Sequence, residues 1–128
     1  MNFQDFIKQL DYIQELMQKE NYEEAISLIG ELKEIEAESD FNYNLTHRLY
    51  QLDSNARSLF NQQKILNIIN KISLSRDSIS FQELNNVLQE EIELNLSIDI
   101  LKREIEILVL RNQLSCKIEK DNIVLNST

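Results

Sequence analysis

The chain has no proline and one glycine, Gly30, in 128 residues. Proline breaks helices by removing an amide and clashing with the preceding turn, and glycine supplies the left-handed backbone that ends them. A chain with almost none of either is free to run in long helices and must build its turns from other residues. A single glycine also excludes two catalytic devices, the Gly-x-Ser-x-Gly nucleophile elbow and the glycine-rich loop that cradles phosphate. With 42% hydrophobic and 27% charged residues, the composition is that of a folded helical protein and not of a linker. One ordinary domain or two very small modules fit this length, with a core that needs no disulfide.

Phe3, Phe6, Leu10, Ile13 and Met17 recur every three or four residues, which predicts an amphipathic helix over Phe3 to Lys19. Asn21 and Glu24 read as a capping pair, with the Asn21 side chain accepting from free backbone amides of a second helix that carries Tyr22, Ala25, Ile26, Ile29, Leu32 and Ile35 to about Ser39. The short connection makes the two an antiparallel hairpin. Its turn, Glu20 to Ile26, resembles the second-helix start of a tetratricopeptide-like repeat, although no second copy follows near a 34-residue period. From Tyr43, Leu45, Leu49, Leu52, Ala56 and Leu59 keep the helical rhythm, and Ile65, Leu66, Ile68, Ile69 and Ile72 continue it. This is one long helix or two stacked ones, with Asp53-Ser54-Asn55 and Asn61-Gln62-Gln63 as the candidate bends because such side chains compete for backbone hydrogen bonds.

After Ile72 the period changes, which divides the chain into a helical part, 1–73, and a mixed module, 74–128. Ser78 to Ser80 reads as a short strand, Ser80 and Glu83 as the capping box of a short helix bearing Leu84, Val87 and Leu88, and Ser97 as the cap of a longer one with Ile98, Leu101, Ile105, Leu108 and Val109 inward. Leu114 to Ile118 alternates, Lys120-Asp121 is a turn, and Ile123 to Leu125 closes a hairpin. Helix, strand, helix, helix, strand, strand is the order of a winged helix. The expected fold is therefore mainly α, an N-terminal helical hairpin or bundle followed by a C-terminal winged helix with a small antiparallel sheet.

The stretch Ile105 to Glu119, with its Leu/Ile helix, polar turn and small-residue strand ending in Lys-Ile-Glu, resembles the winged-helix half of PCI domains, as does the strand-to-helix entry Ser80-Phe81-Gln82-Glu83-Leu84. That family supplies scaffold subunits of the proteasome lid, the COP9 signalosome and a translation initiation factor, and in it helical repeats precede the wing. The resemblance implies a scaffold subunit of a multiprotein complex with no enzymatic activity.

Charge weighs the rival functions. Residues 1–40 hold three Lys or Arg against eleven Asp or Glu, residues 41–75 four against one, and residues 76–128 six against ten. The acidic arm beside a basic middle suggests internal pairing or a partner with a basic groove, and nonspecific phosphate binding is disfavoured at both ends. A winged helix-turn-helix DNA-binding regulator is the alternative function. Against it, the helix Ile98 to Arg111 sets Lys102, Arg103 and Arg111 against Asp99, Glu104 and Glu106, and Lys102 and Arg103 read as ion-pair partners of Glu106. Catalysis is disfavoured too: His47 has only Asp53 nearby, and Cys116 reads as an inward thiol. The residues assign no cofactor and no metal site.

There remains a protein partner, whether other subunits or a second copy of the chain. The strand Ser115 to Glu119 is expected at a sheet edge, offering outward Ser115 and Lys117, with Val124 beside them, while Leu114, Cys116, Ile118, Ile123 and Leu125 point into the core. No apolar run approaches a membrane span. The lone cysteine and the polar start predict a reducing, cytoplasmic setting, with the nucleus left open.

Overall fold

The computed structural model describes residues 2–39 and 42–125. It is mainly helical, with five helices and a small three-stranded antiparallel sheet among those residues. Two compact units divide between Phe60 and Asn61.

In the first unit, Met1–Phe60, α1 (Phe3–Gln18) and α2 (Tyr22–Ala37) form the hairpin read from periodicity. Phe6, Leu10, Ile13 and Leu16 pack with Ala25, Ile29 and Leu32 of α2 and with Leu45, Leu49, Leu52 and Ala56 of α3 (Tyr43–Ile72). Burying each large side chain of this set contributes about 1.5–3 kcal/mol of transfer free energy. Phe3, first in the sequence stripe, is exposed.

The hairpin turn closes without glycine. Glu20 takes a left-handed φ of 60°, its N–H donates to the Met17 carbonyl at 3.0 Å, and the Asn21 N–H reaches back to Leu16 O at 2.8 Å. This is the Schellman closure. It also corrects the cap expected at Asn21: with its amide drawn back and ψ at 66°, the Asn21 side chain accepts no backbone bond and instead donates from Nδ2 to Glu24 Oε2 at 2.9 Å.

The thirty-residue α3 is unbroken. Neither polar triplet interrupts it, and in each the most buried side chain is engaged away from the helix backbone. Asp53 accepts from Lys33 and, at 2.9 Å, from Arg57 one turn on, while Gln62 Nε2 donates to Glu104 Oε2 at 2.9 Å. No one stripe serves the whole helix. Leu45, Leu49, Leu52 and Ala56 pack in the first core, and Ile65, Ile68 and Ile69 in another. The end of α3 therefore belongs to the second core, and the compact division falls at residues 60 and 61, not near Ser73 where the sequence period changes.

In the second unit, Asn61–Thr128, Ile65, Ile68 and Ile69 of α3 pack with α4 (Phe81–Ile92), α5 (Ile98–Leu110) and the sheet around Phe81, Leu84, Leu88, Leu101, Ile105 and Ile123. The capping box opens α4 as its residues predict, with Glu83 N–H donating to Ser80 Oγ at 3.0 Å and Ser80 N–H to Glu83 Oε1 at 3.4 Å. Arg76 hydrogen-bonds Glu83 at 2.9 Å and, with the Ser80 bonds, holds that carboxyl below its usual pKa. Ser97 caps α5 by accepting from Ile100 N–H at 3.2 Å. Left-handed Glu93 and Asn112 end the two helices. The strands β1 (Ser78–Ser80), β2 (Lys117–Glu119) and β3 (Asn122–Val124) lie in the order β1-β3-β2, both pairings antiparallel.

Candidate functional site

Among the described residues β2 is bonded to β3 on one side only, so its other side is an open edge. Glu119 and Asn122 flank the two-residue turn Lys120-Asp121 and form a hydrogen-bonded pair, and antiparallel alternation makes Lys117 and Val124 the next such pair. The far side of β3 obeys the same alternation. Phe81 N–H donates to Asp121 O at 2.9 Å and Leu125 N–H to Asp77 O at 2.7 Å, so odd residues of this strand and its flanks turn toward β1 and even ones toward β2. Ile118, between the two bonded positions of β2, therefore points its own N–H and C=O away from β3 and out of the sheet.

The Ile118 side chain lies on the same face as Ile123 and Ile79, its partners across the sheet. Those two are buried, whereas Ile118 is 37% exposed. This corrects the reading of Ile118 as core: alternation assigned the face rightly, but Ile118 is at the end of the row, with no further strand beyond it among the described residues. The same position thus offers an apolar side chain and a free backbone pair.

The three residues assigned to a partner separate. Lys117 is exposed on β2, and Ser115 is exposed just before the strand, outside the ladder. Ser115 lines a depression of about 400 Å³ with Val109, Asn112, Leu114 and Cys116. Val124 lies opposite Lys117 and on the same face, half-buried, in the central strand beside the edge. Cys116 is half-buried, and desolvation pushes its thiol pKa up, away from the reactive thiolate.

The cations of α5 are held within the unit. Lys102 Nζ lies 3.4 Å from Asp121 Oδ1 and 5.3 Å from the centre of the Phe81 ring, and Arg103 Nη2 lies 3.2 Å from Glu104 Oε1. Neither pairs with Glu106, the expected partner: Lys102 meets Asp121, which the tertiary fold brings close, and Arg103 meets its chain neighbour Glu104. Glu104 itself is a buried acid that the sequence did not mark, 1% exposed and bonded to Gln62. Only its place on the inward side of α5, beside Ile105 and one turn before Leu108, hinted at burial. His47 stacks on Tyr43 with ring centres 5.8 Å apart on the exposed side of α3. Asp53 is already engaged by Lys33 and Arg57 and does not orient it.

Among the described residues no helix is long and apolar enough to cross a membrane, and no group of three or more His, Cys, Asp or Glu stands ready to hold a metal ion. No family model matches the chain, and neither a curated protein nor a solved structure matches it.

Proposed function

We propose that the chain is a non-enzymatic interaction module, a PCI-like scaffold subunit whose C-terminal part is a winged helix that meets a protein partner along β2. The observation that carries this reading is the open edge at Ile118, where an exposed apolar side chain and an unpaired backbone N–H and C=O coincide. A partner strand laid there satisfies both, by β-augmentation. The winged-helix part of the reading is supported by the element order from the end of α3 through β3 and by the strand order β1-β3-β2, with the hairpin strands following the second of two helices. The engagement of Lys102 and Arg103 by Asp121, Phe81 and Glu104 speaks against a groove-reading helix.

The test is Ile118→Pro. Because the Ile118 amide faces outward, proline removes an edge donor and leaves the β2–β3 ladder its bonds. Tagged parent and variant, both shown to be folded by circular dichroism, are compared for the polypeptides they retain from their source. Loss of a specific companion in the variant supports the reading. Equal recovery of every companion overturns it.

A further inference from the structure

We propose that β2 pairs with β2 of a second copy of this chain, antiparallel and centred on Ile118, joining two three-stranded sheets into one of six strands. The inference rests on the reading of β2 as a partner-binding edge and names its occupant.

The argument begins with the order of side chains, Lys117-Ile118-Glu119. Turned about a two-fold axis through Ile118, this triplet is its own complement. Ile118 meets Ile118, Lys117 meets Glu119 of the second copy, and Glu119 meets Lys117 of the second copy. Both charged residues lie on the face opposite Ile118, both are exposed, and among the described residues neither takes part in an ion pair.

The backbone accommodates the same register. Only the Ile118 amide and carbonyl face the open edge, so an added strand must form its hydrogen-bonded pair there, and in the symmetric arrangement each Ile118 N–H donates to the other's C=O. The Lys117 and Glu119 positions then become non-hydrogen-bonded pairs, where opposite side chains approach most closely, with Cα atoms about 4.5 Å apart. Pairing centred on Lys117 or on Glu119 instead opposes like charges at its centre. On the other face, Ile118 gains the neighbour that the end of the row denies it. Such a contact is isologous and closes at two copies. Three-residue strands bury little area, so the association is reversible and depends on concentration.

The experiment is sedimentation equilibrium on the parent, Lys117→Glu, Glu119→Lys, an equimolar mixture of those two, and the doubly exchanged Lys117→Glu/Glu119→Lys chain, with folding checked by circular dichroism. The expected result is a monomer–dimer equilibrium for the parent. Each single reversal converts two attractive cross-strand pairs into repulsive ones and weakens self-association roughly tenfold or more. The mixture restores dimer as a heterodimer, because one chain then presents two acids and the other two bases, and the double exchange restores it within one chain. High salt reduces these differences.

A parent that stays monomeric to millimolar concentration overturns the proposal and leaves Lys117 as a charge that guards the edge. A dimer indifferent to both single reversals overturns the register. Ile118→Pro separates this failure from that of the wider reading. If the parent is monomeric but Ile118→Pro still loses a different companion, the self-pairing falls and the partner-binding edge stands. If it loses nothing, both fall.

Discussion

Left-handed backbone at Glu20, Glu93, Asn112 and Lys120, with φ between 54° and 60°, is the residue-scale consequence of having one glycine. That glycine stands inside α2, where a Cβ built at position 30 meets nothing within 4 Å. Helix interior disfavours glycine and the left-handed region favours it, so the chain holds each type where the other is better suited. Gly30→Ala is expected to raise stability by about 0.5–1 kcal/mol, and Glu20→Gly or Lys120→Gly by a similar amount, read as increases in the denaturant midpoint at constant slope. A fall in midpoint for Gly30→Ala contradicts the helical placement.

Asp53 makes a second residue-scale prediction. Burial alone raises its carboxyl pKa, but hydrogen bonds from Lys33 and Arg57 and their two charges outweigh it and hold the pKa below 3.8. A depressed folded pKa stabilises fully above the unfolded value and loses that contribution as pH falls through the folded one. Asp53→Asn is therefore expected to cost about 1–2 kcal/mol at pH 7 and to flatten the decline of stability below about pH 4, measured by urea unfolding across that range.

At the scale of elements, caps and buried polar pairs decide where helices start and whether they continue. Ser80→Ala removes the acceptor for the Glu83 amide and is expected to cost about 1 kcal/mol, with the loss of amide-exchange protection concentrated at the start of α4. α3 carries a higher-stakes interaction. Glu104→Leu removes the carboxylate that accepts from the buried Gln62 amide, a change expected to cost about 1–3 kcal/mol. Glu104→Gln keeps an acceptor oxygen for Gln62 and should cost less, so the order of the two variants in thermal melts is the check.

At the scale of the whole molecule, two cores mean two sets of amides. Leu10→Ala and Leu101→Ala each empty a fully buried leucine site and are expected to cost about 2–5 kcal/mol. The first change should lower exchange protection foremost in α1 and α2, and the second in α4 and α5, because each side chain packs within its own cluster. Uniform loss of protection through the whole chain from either change is the contrary result. The long-range charge makes a further statement. A net charge of −9, with Lys102 and Arg103 already paired, opposes the counterion release that drives duplex binding. Titration with duplex DNA at physiological salt is expected to give no submicromolar, salt-sensitive binding.

Much of this molecule is decided within a few residues of chain, and that much was legible. Three-and-four spacing placed Phe6, Leu10, Ile13 and Ile29 inward because helix geometry converts spacing into a face, and Ser80 and Ser97 marked helix starts because a cap is made three residues away. Alternation placed Ile118 and Ile123 on one face of the sheet for the same kind of reason. What neighbours each face lies beyond local rules. Ile118 is exposed because β2 ends the row, Ile123 is covered because β3 is its centre, and α3 divides between two cores because Ile65, Ile68 and Ile69 meet elements that come after them in the chain. Glu104 with Gln62, and Lys102 with Asp121, are likewise pairs between residues distant in sequence. Periodicity reports which side of an element is apolar; only the closed fold determines whether anything lies against that side.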